Sequence, residues 1–118
     1  MQDLDQAGLS LRKDQASMVD VKIGIKWLAY FHAKFLQQDS CDLWPVGTYW
    51  YLATRQDEFK AMQAGQLKDA AQALDTALNH ARFQTLVHGD AKLANFCFPD
   101  NHDTDRLAAV DFQYVGKG

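Results

Sequence analysis

The sequence predicts an α+β chain, with helices first and a small β element after them. Three observations carry this. Apolar residues recur at helical spacing between about residues 14 and 38, and again between about 66 and 82. After Arg82 the period changes, and "QTLV", "NFCF" and "RLAAVDF" are short β-prone runs. The cluster "PDNHDTD" between the last two runs is built of turn formers, so they read as a β-hairpin.

In the first helical segment Val21, Ile25, Leu28, Phe31 and Phe35 form the predicted apolar face. Ser17-x-x-Asp20 resembles a capping box near its start, and "QQDSCD" ends it. "LWPVGTYWYLAT" is an aromatic-rich irregular stretch broken by Pro45 and Gly47. Thr54-x-x-Asp57 is expected to cap a short helix through "DEFKAMQA", with Gly65 closing it. Leu67, Ala70, Leu74, Ala77, Leu78 and Ala81 make the stripe of the next helix.

The 118 residues suffice for one modest domain. A hydrophobic content of 47% is that of a folding chain, and the formal net charge of -3 comes without any basic block. A nucleic-acid partner is therefore not expected. No apolar run approaches a membrane span, and the opening "MQDLDQAGLS" does not read as a signal peptide. Cys41 and Cys97 lie far apart without a CxxC spacing, which fits a reducing compartment, so the expected location is the cytoplasm. The chain stops just after the strand-like "VDFQYVGKG", which suggests a piece of a longer protein.

The polar residues of "LVHGDAKLANFCF" sit between runs that want burial. With the hairpin turn centred near Asp103, Asn95 lies eight residues before it and Asp111 eight after. An antiparallel pairing on that centre sets Asn95 beside Asp111, next to Asp90. Oxygen-bearing side chains so gathered suit a hard cation such as Mg²⁺. Phosphoryl transfer needs a carboxylate to orient the attacking hydroxyl, a second carboxylate and an amide oxygen on Mg²⁺, and a cation to offset moving charge. Asp90, Asp111, Asn95 and Lys92 supply one of each. An ordinary Asp, with a pKa of about 3.9, is a weak base at neutral pH and acts mainly by positioning.

"HGDAKLAN", followed after a hairpin by "VDFQ", resembles the catalytic loop and metal-binding segment of the kinase-like phosphotransferases. That superfamily includes aminoglycoside phosphotransferases, choline kinases and ecdysteroid-kinase-like proteins. Their loop reads H-G-D-x-x-x-x-N, against H-R-D-x-x-x-x-N in protein kinases. His88, Gly89, Asp90 and Asn95 match in identity and spacing, Asp111 matches the acidic metal ligand, and Gln113 follows as in "DFQ" variants. Lys92 falls where protein kinases carry the loop lysine that reaches the γ-phosphate. "DLDQAG", "WLAYFHAKFL" and "LWPVGTYWYLATRQDEF" also look like the bacterial ecdysteroid-kinase-like branch.

The resemblance implies a partial protein-kinase-like fold over residues 1–118. That part is the mostly helical large (C-terminal) lobe, with the catalytic and metal segments on a small hairpin. It implies ATP and Mg²⁺ as cofactors, a small-molecule hydroxyl acceptor, Asp90 as base, Asn95 and Asp111 as metal ligands, and Lys92 on the phosphates. His88, Gly89 and Gln113 are then structural at the site. No Gly-rich phosphate loop and no strand lysine are found here, so the nucleotide-binding small lobe is expected before Met1 and the end of the large lobe after Gly118. The isolated chain is accordingly expected not to turn over. Apolar surface around Leu86, Phe96, Phe98 and Phe112 is expected to be exposed and to drive self-association.

Two other functions compete with the phosphotransferase. One is an inactive pseudokinase or scaffold. The other is a metal-dependent hydrolase, which needs a further His or Asp ligand near Asp90. His88 reads better as a loop-holding histidine than as a proton carrier, His32 as a packing residue, and His80 as a helix-surface residue. His102 with Asp100, Asp103 and Asp105 reads as a solvated turn. Lys92 has a bland alternative as a solvated loop lysine. Trp44, Tyr49, Trp50 and Tyr51 suggest a cage for a cationic acceptor, but packing of an irregular stretch is the stronger reading.

Overall fold

The computed structural model describes residues 3–101 and 106–118. Among the described residues it is a mixed α+β domain with three α-helices, α1 (Met18–Lys34), α2 (Gln56–Ala61) and α3 (Gln66–Asn79). Four two-residue strands follow: β1 (Leu86–Val87), β2 (Phe96–Cys97), β3 (Ala108–Ala109) and β4 (Gly116–Lys117).

Helix α1 begins where its cap predicts. The Ser17 hydroxyl accepts from the Asp20 N–H, and the Asp20 carboxylate accepts from the Ser17 N–H at 2.9 Å, so two orphan amides are satisfied reciprocally. It ends earlier than expected, in turns over 35–37. The buried face agrees with the predicted one at Leu28, Phe31 and Phe35, which are half-buried, and differs at its start. Val21 and Ile25 are exposed, while Asp20 and Gly24 are buried and Trp27, Phe31 and Phe35 half-buried. Phe96 packs over Gly24, where its ring lies 4.0 Å from the position a Cβ would take. An aspartate and a glycine carry no apolar signal, so their part of the face was hidden in the sequence.

The predicted cap at Thr54 is not made. Thr54 Oγ1 donates instead to the Tyr51 carbonyl at 2.8 Å, inside a 3₁₀ turn over Leu52–Thr54. Gly65 does not close α2, which ends at Ala61; it is the residue before α3. Helix α3 stops at Asn79, three residues short of the expected end, and none of its residues is buried.

The strands pair twice over. β2 and β3 form the predicted antiparallel hairpin, with Phe96 opposite Ala109 and Cys97 opposite Ala108. β1 pairs antiparallel with β4, with Leu86 opposite Lys117 and Val87 opposite Gly116. The β-prone run "QTLV" thus does hold a strand, but β4 and its pairing with β1 were not anticipated. On the far side of β4, Trp44 makes a parallel bridge to Gly116. The backbones approach so closely there that a Cβ on Gly116 would lie 2.3 Å from the Trp44 carbonyl oxygen. Leu11 bridges Phe98, so the N-terminal segment extends the hairpin edge.

The buried apolar residues are Leu9, Leu86, Phe96, Cys97 and Phe98. Leu86, Phe96 and Phe98 are thus core, not the exposed surface expected of them; only Phe112 of that set is exposed. No helix among the described residues is long and apolar enough to cross a membrane.

Candidate active site

The double pairing explains why polar residues sit between buried runs. One loop, 88–95, joins β1 to β2, and another, 110–115, joins β3 to β4. Because β1 pairs with β4 and β2 with β3, both ends of the two loops are clamped together, and the loops must face each other. The flanking residues supply the core, so the loops are rigidly seated without being apolar themselves.

His88 links the loops. It is 1% exposed, and its Nδ1 accepts the Asp90 N–H at 3.3 Å. That leaves the proton on Nε2, which donates to the Val110 carbonyl at 2.9 Å. Both ring nitrogens are committed to backbone, which fits a loop-holding histidine. Its ring packs on Phe112 at 4.6 Å between centroids. Trp27, which sequence reasoning passed over, backs the arrangement. It stacks on Phe31 at 5.2 Å and meets the edges of Phe96 and His88. Gly89 lies at φ +83 against Tyr114, whose carbonyl oxygen would be 2.2 Å from any Cβ there. Glycine is required by both conformation and space.

Asp90 holds two neighbours through three hydrogen bonds. Its Oδ2 accepts from Lys92 Nζ at 2.7 Å and from Asn95 Nδ2 at 3.2 Å, and its carbonyl accepts from Asn95 Nδ2 at 2.9 Å. Asn95, 6% exposed, is therefore locked by the residue it serves. The Lys92 hydrogen bond is the main cause holding the Asp90 carboxyl below the usual carboxylate range. Reciprocally, Asp90 pushes the Lys92 ammonium up, with smaller help from Asp111 and Tyr49.

The expected register is off by one residue. The Val110 N–H donates to the Asn95 carbonyl at 3.0 Å, so Asn95 stands opposite Val110 and Asp111 follows one position on. A centre on Asp103 would have set Phe96 opposite Val110, but Phe96 stands opposite Ala109. In a continuing strand such a slip would turn Asp111 to the other face. Instead the strand has ended, and Asp111 takes φ 65, an uncommon region for a residue with a side chain. The chain bends there, and Asp111 stays within electrostatic reach of Lys92. Strain of this kind is often kept where function demands it.

Gln113 contributes its backbone, whose carbonyl accepts from Trp44 Nε1 at 2.7 Å. The aromatic stretch neither packs away nor forms one cage. Trp44, Tyr49 and Trp50 are each about half exposed. Tyr49 meets Tyr114 in a tilted ring contact at 5.7 Å, whereas Trp50 and Tyr51 line a separate groove. His32 is half-buried, and burial pulls its pKa down. His80 is an exposed helix cap whose Nδ1 pairs with the Thr76 carbonyl. The cluster around His102, Asp103 and Asp105 lies outside the described residues. Among the described residues, no three His, Cys, Asp or Glu side chains gather as a metal-binding group.

Compared with known proteins, the chain matches no family model, no curated protein and no solved structure.

Proposed function

We propose that the chain is the catalytic part of a kinase-like phosphotransferase, transferring the γ-phosphoryl group of Mg²⁺-ATP to a hydroxyl of a small acceptor. The observation that carries the reading is the facing pair of loops. The H-G-D-x-x-x-x-N residues stand on one loop and Asp111 on the other, and His88 ties them at Val110.

Asn95 and Asp111 are the residues that would hold the implied cation. Asn95 uses its amide nitrogen on Asp90, so Oδ1 is the atom left for a metal. Asp111 adds an exposed carboxylate. Two protein oxygens suit Mg²⁺, which fills its other positions with water and phosphate oxygens. When bound, Mg²⁺ would neutralise charge on the phosphates. This donor set favours nucleotide chemistry over the hydrolase reading, which needs a further side-chain ligand near Asp90.

Asp90 orients the acceptor hydroxyl through its carboxylate and takes the proton late, because a carboxyl held below the usual range is a weak base. Lys92 occupies Asp90 at rest. Its side chain is 58% exposed, which leaves it room to exchange the carboxylate for the phosphoryl oxygens as charge moves to them. Asn95 keeps Asp90 in place during that exchange.

The test is a titration of Mg²⁺-ATP into the isotope-labelled chain. Resonance shifts should concentrate on Asp90, Lys92, Asn95 and Asp111, with weak saturation, and Asp111→Ala should remove them. Shifts that avoid both loops, or that survive Asp111→Ala unchanged, would overturn the reading.

A further inference from the structure

Trp44 reaches the Asp111 loop from the irregular aromatic stretch and turns both of its N–H groups onto it. The backbone N–H donates to the Val115 carbonyl at 3.2 Å, and the indole Nε1–H donates to the Gln113 carbonyl at 2.7 Å. The contacts continue along β4. The Lys117 N–H donates to the Trp44 carbonyl at 3.1 Å, and the Gly47 N–H donates to the Lys117 carbonyl at 2.7 Å. Residues 44–47 thus lie along β4 as a strap. Glycine at 47 makes room for it, since a Cβ there would lie 2.6 Å from the Gly116 carbonyl oxygen. The Trp44 side chain is half exposed, so apolar burial explains only part of its placement. The backbone contacts can be made by any residue at position 44 except proline. Only the contact to Gln113 needs an indole donor.

The rest of the loop shows what that donor does. Before Asp111, the chain is held by His88, which donates to the Val110 carbonyl and packs on Phe112. After it, the Val115 N–H donates to the Phe112 carbonyl at 3.1 Å and closes a turn whose outer carbonyl, Gln113, is the one that Trp44 takes. Asp111 lies between these two anchors at φ 65. A residue with a side chain stays in that region only when its surroundings over-determine it.

We propose that Trp44 is a positioning residue for Asp111, its indole N–H holding the loop, through the Gln113 carbonyl, in the bend that turns at Asp111. The role of Asp111 as metal ligand rests on the phosphotransferase reading, whereas the strap rests on the hydrogen bonds alone. Without the donor, the Gln113 carbonyl turns to water and Asp111 relaxes towards ordinary φ. Mg²⁺-ATP must then select the bent loop from a smaller population, which weakens apparent binding by that fraction.

Trp44→Phe in the isotope-labelled 118-residue chain tests this, because it keeps an aromatic ring and the backbone contacts and removes the donor. A positive φ brings a residue's own N–H and Hα close together. Asp111 should therefore give a strong intraresidue N–H to Hα cross-peak in the unmodified chain, and Trp44→Phe should weaken it while the Asp90 and Asn95 amide shifts hold. Mg²⁺-ATP should still shift both loops, with a dissociation constant raised up to about tenfold, the contribution of one hydrogen bond. Trp50→Phe, which alters an indole of the separate groove, should change neither reading. The unmodified chain gives an independent measurement. Both rings are half exposed, yet the Trp44 indole N–H should exchange with water far more slowly than that of Trp50. Three results would each overturn the proposal: an Asp111 cross-peak of undiminished strength in Trp44→Phe, nucleotide binding weakened equally by Trp50→Phe, or equal exchange of the two indoles. Loops that stay silent towards Mg²⁺-ATP in the unmodified chain would overturn the phosphotransferase reading instead, and the cross-peak and the exchange rates would still decide the strap.

Discussion

At the residue scale, the pair Asp90–Lys92 sets the behaviour of the proposed site. The 2.7 Å contact stabilises the carboxylate and the ammonium together. Because the Asp90 pKa lies below its ordinary value, its base form persists as pH falls through the usual carboxylate range. Lys92→Ala removes the largest cause of that shift, so Asp90 should titrate at higher pH. Asp90→Asn should bring the Lys92 pKa down, because Asp90 is what raises it. Carbon-detected spectra of the Asp carboxyl groups and Lys Cε across pH would read both. If neither group responds to loss of the other, the contact is a solvated surface pair with no bearing on catalysis.

At the element scale, α1 depends on its first turn. Asp20 accepts from Ser17 and from Lys13, whose Nζ lies 2.5 Å away, and its pKa is lowered from 3.8 to about 2, with the Lys13 hydrogen bond as the main cause. A depressed carboxyl contributes stability that is fully present above its unfolded pKa and is lost as pH falls through the folded one. Urea midpoints should therefore hold above about pH 4 and drop between there and about pH 2, by about 1–2 kcal/mol for this group, given that solvent reaches Lys13. Asp20→Asn should flatten that window. Ser17→Ala should cost about 1 kcal/mol at neutral pH through loss of the cap. A midpoint that falls equally steeply in Asp20→Asn would assign the acid sensitivity to other carboxylates.

At the scale of the whole molecule, the radius of gyration is 16.8 Å, against about 13.5 Å for a compact domain of this length. The shape is that of a core with an unpartnered flank. The proposed function assigns a base, a lysine and metal ligands to these loops, and phosphoryl transfer depends heavily on positioning by both lobes of such a fold. Incubation of the chain with Mg²⁺-ATP and a panel of amino alcohols, aminoglycosides and sterols should show no acceptor-dependent ATP consumption. Turnover that vanishes in Asp90→Asn would reverse this expectation and show that these residues suffice.

The sequence by itself determined the order of helices and strands, the Ser17–Asp20 cap, the β2–β3 hairpin and the grouping of His88, Asp90, Lys92 and Asn95. These depend on local spacing and on short-range hydrogen bonds, which a linear pattern records. Tertiary structure alone decided the rest. The buried face of α1 turns on Gly24 and Asp20, residues that become core only because Phe96 and Lys13 arrive from elsewhere. The register of Asn95 against Val110 rests on one backbone hydrogen bond across the hairpin, and no composition of turn formers fixes where a turn centres. The pairing of β1 with β4 joins segments thirty residues apart in sequence, Leu86 with Lys117 and Val87 with Gly116. Two-residue strands carry too little periodicity to announce a partner. Yet that pairing, closing the ends that the hairpin leaves open, is what makes the Asp90 loop and the Asp111 loop face one another.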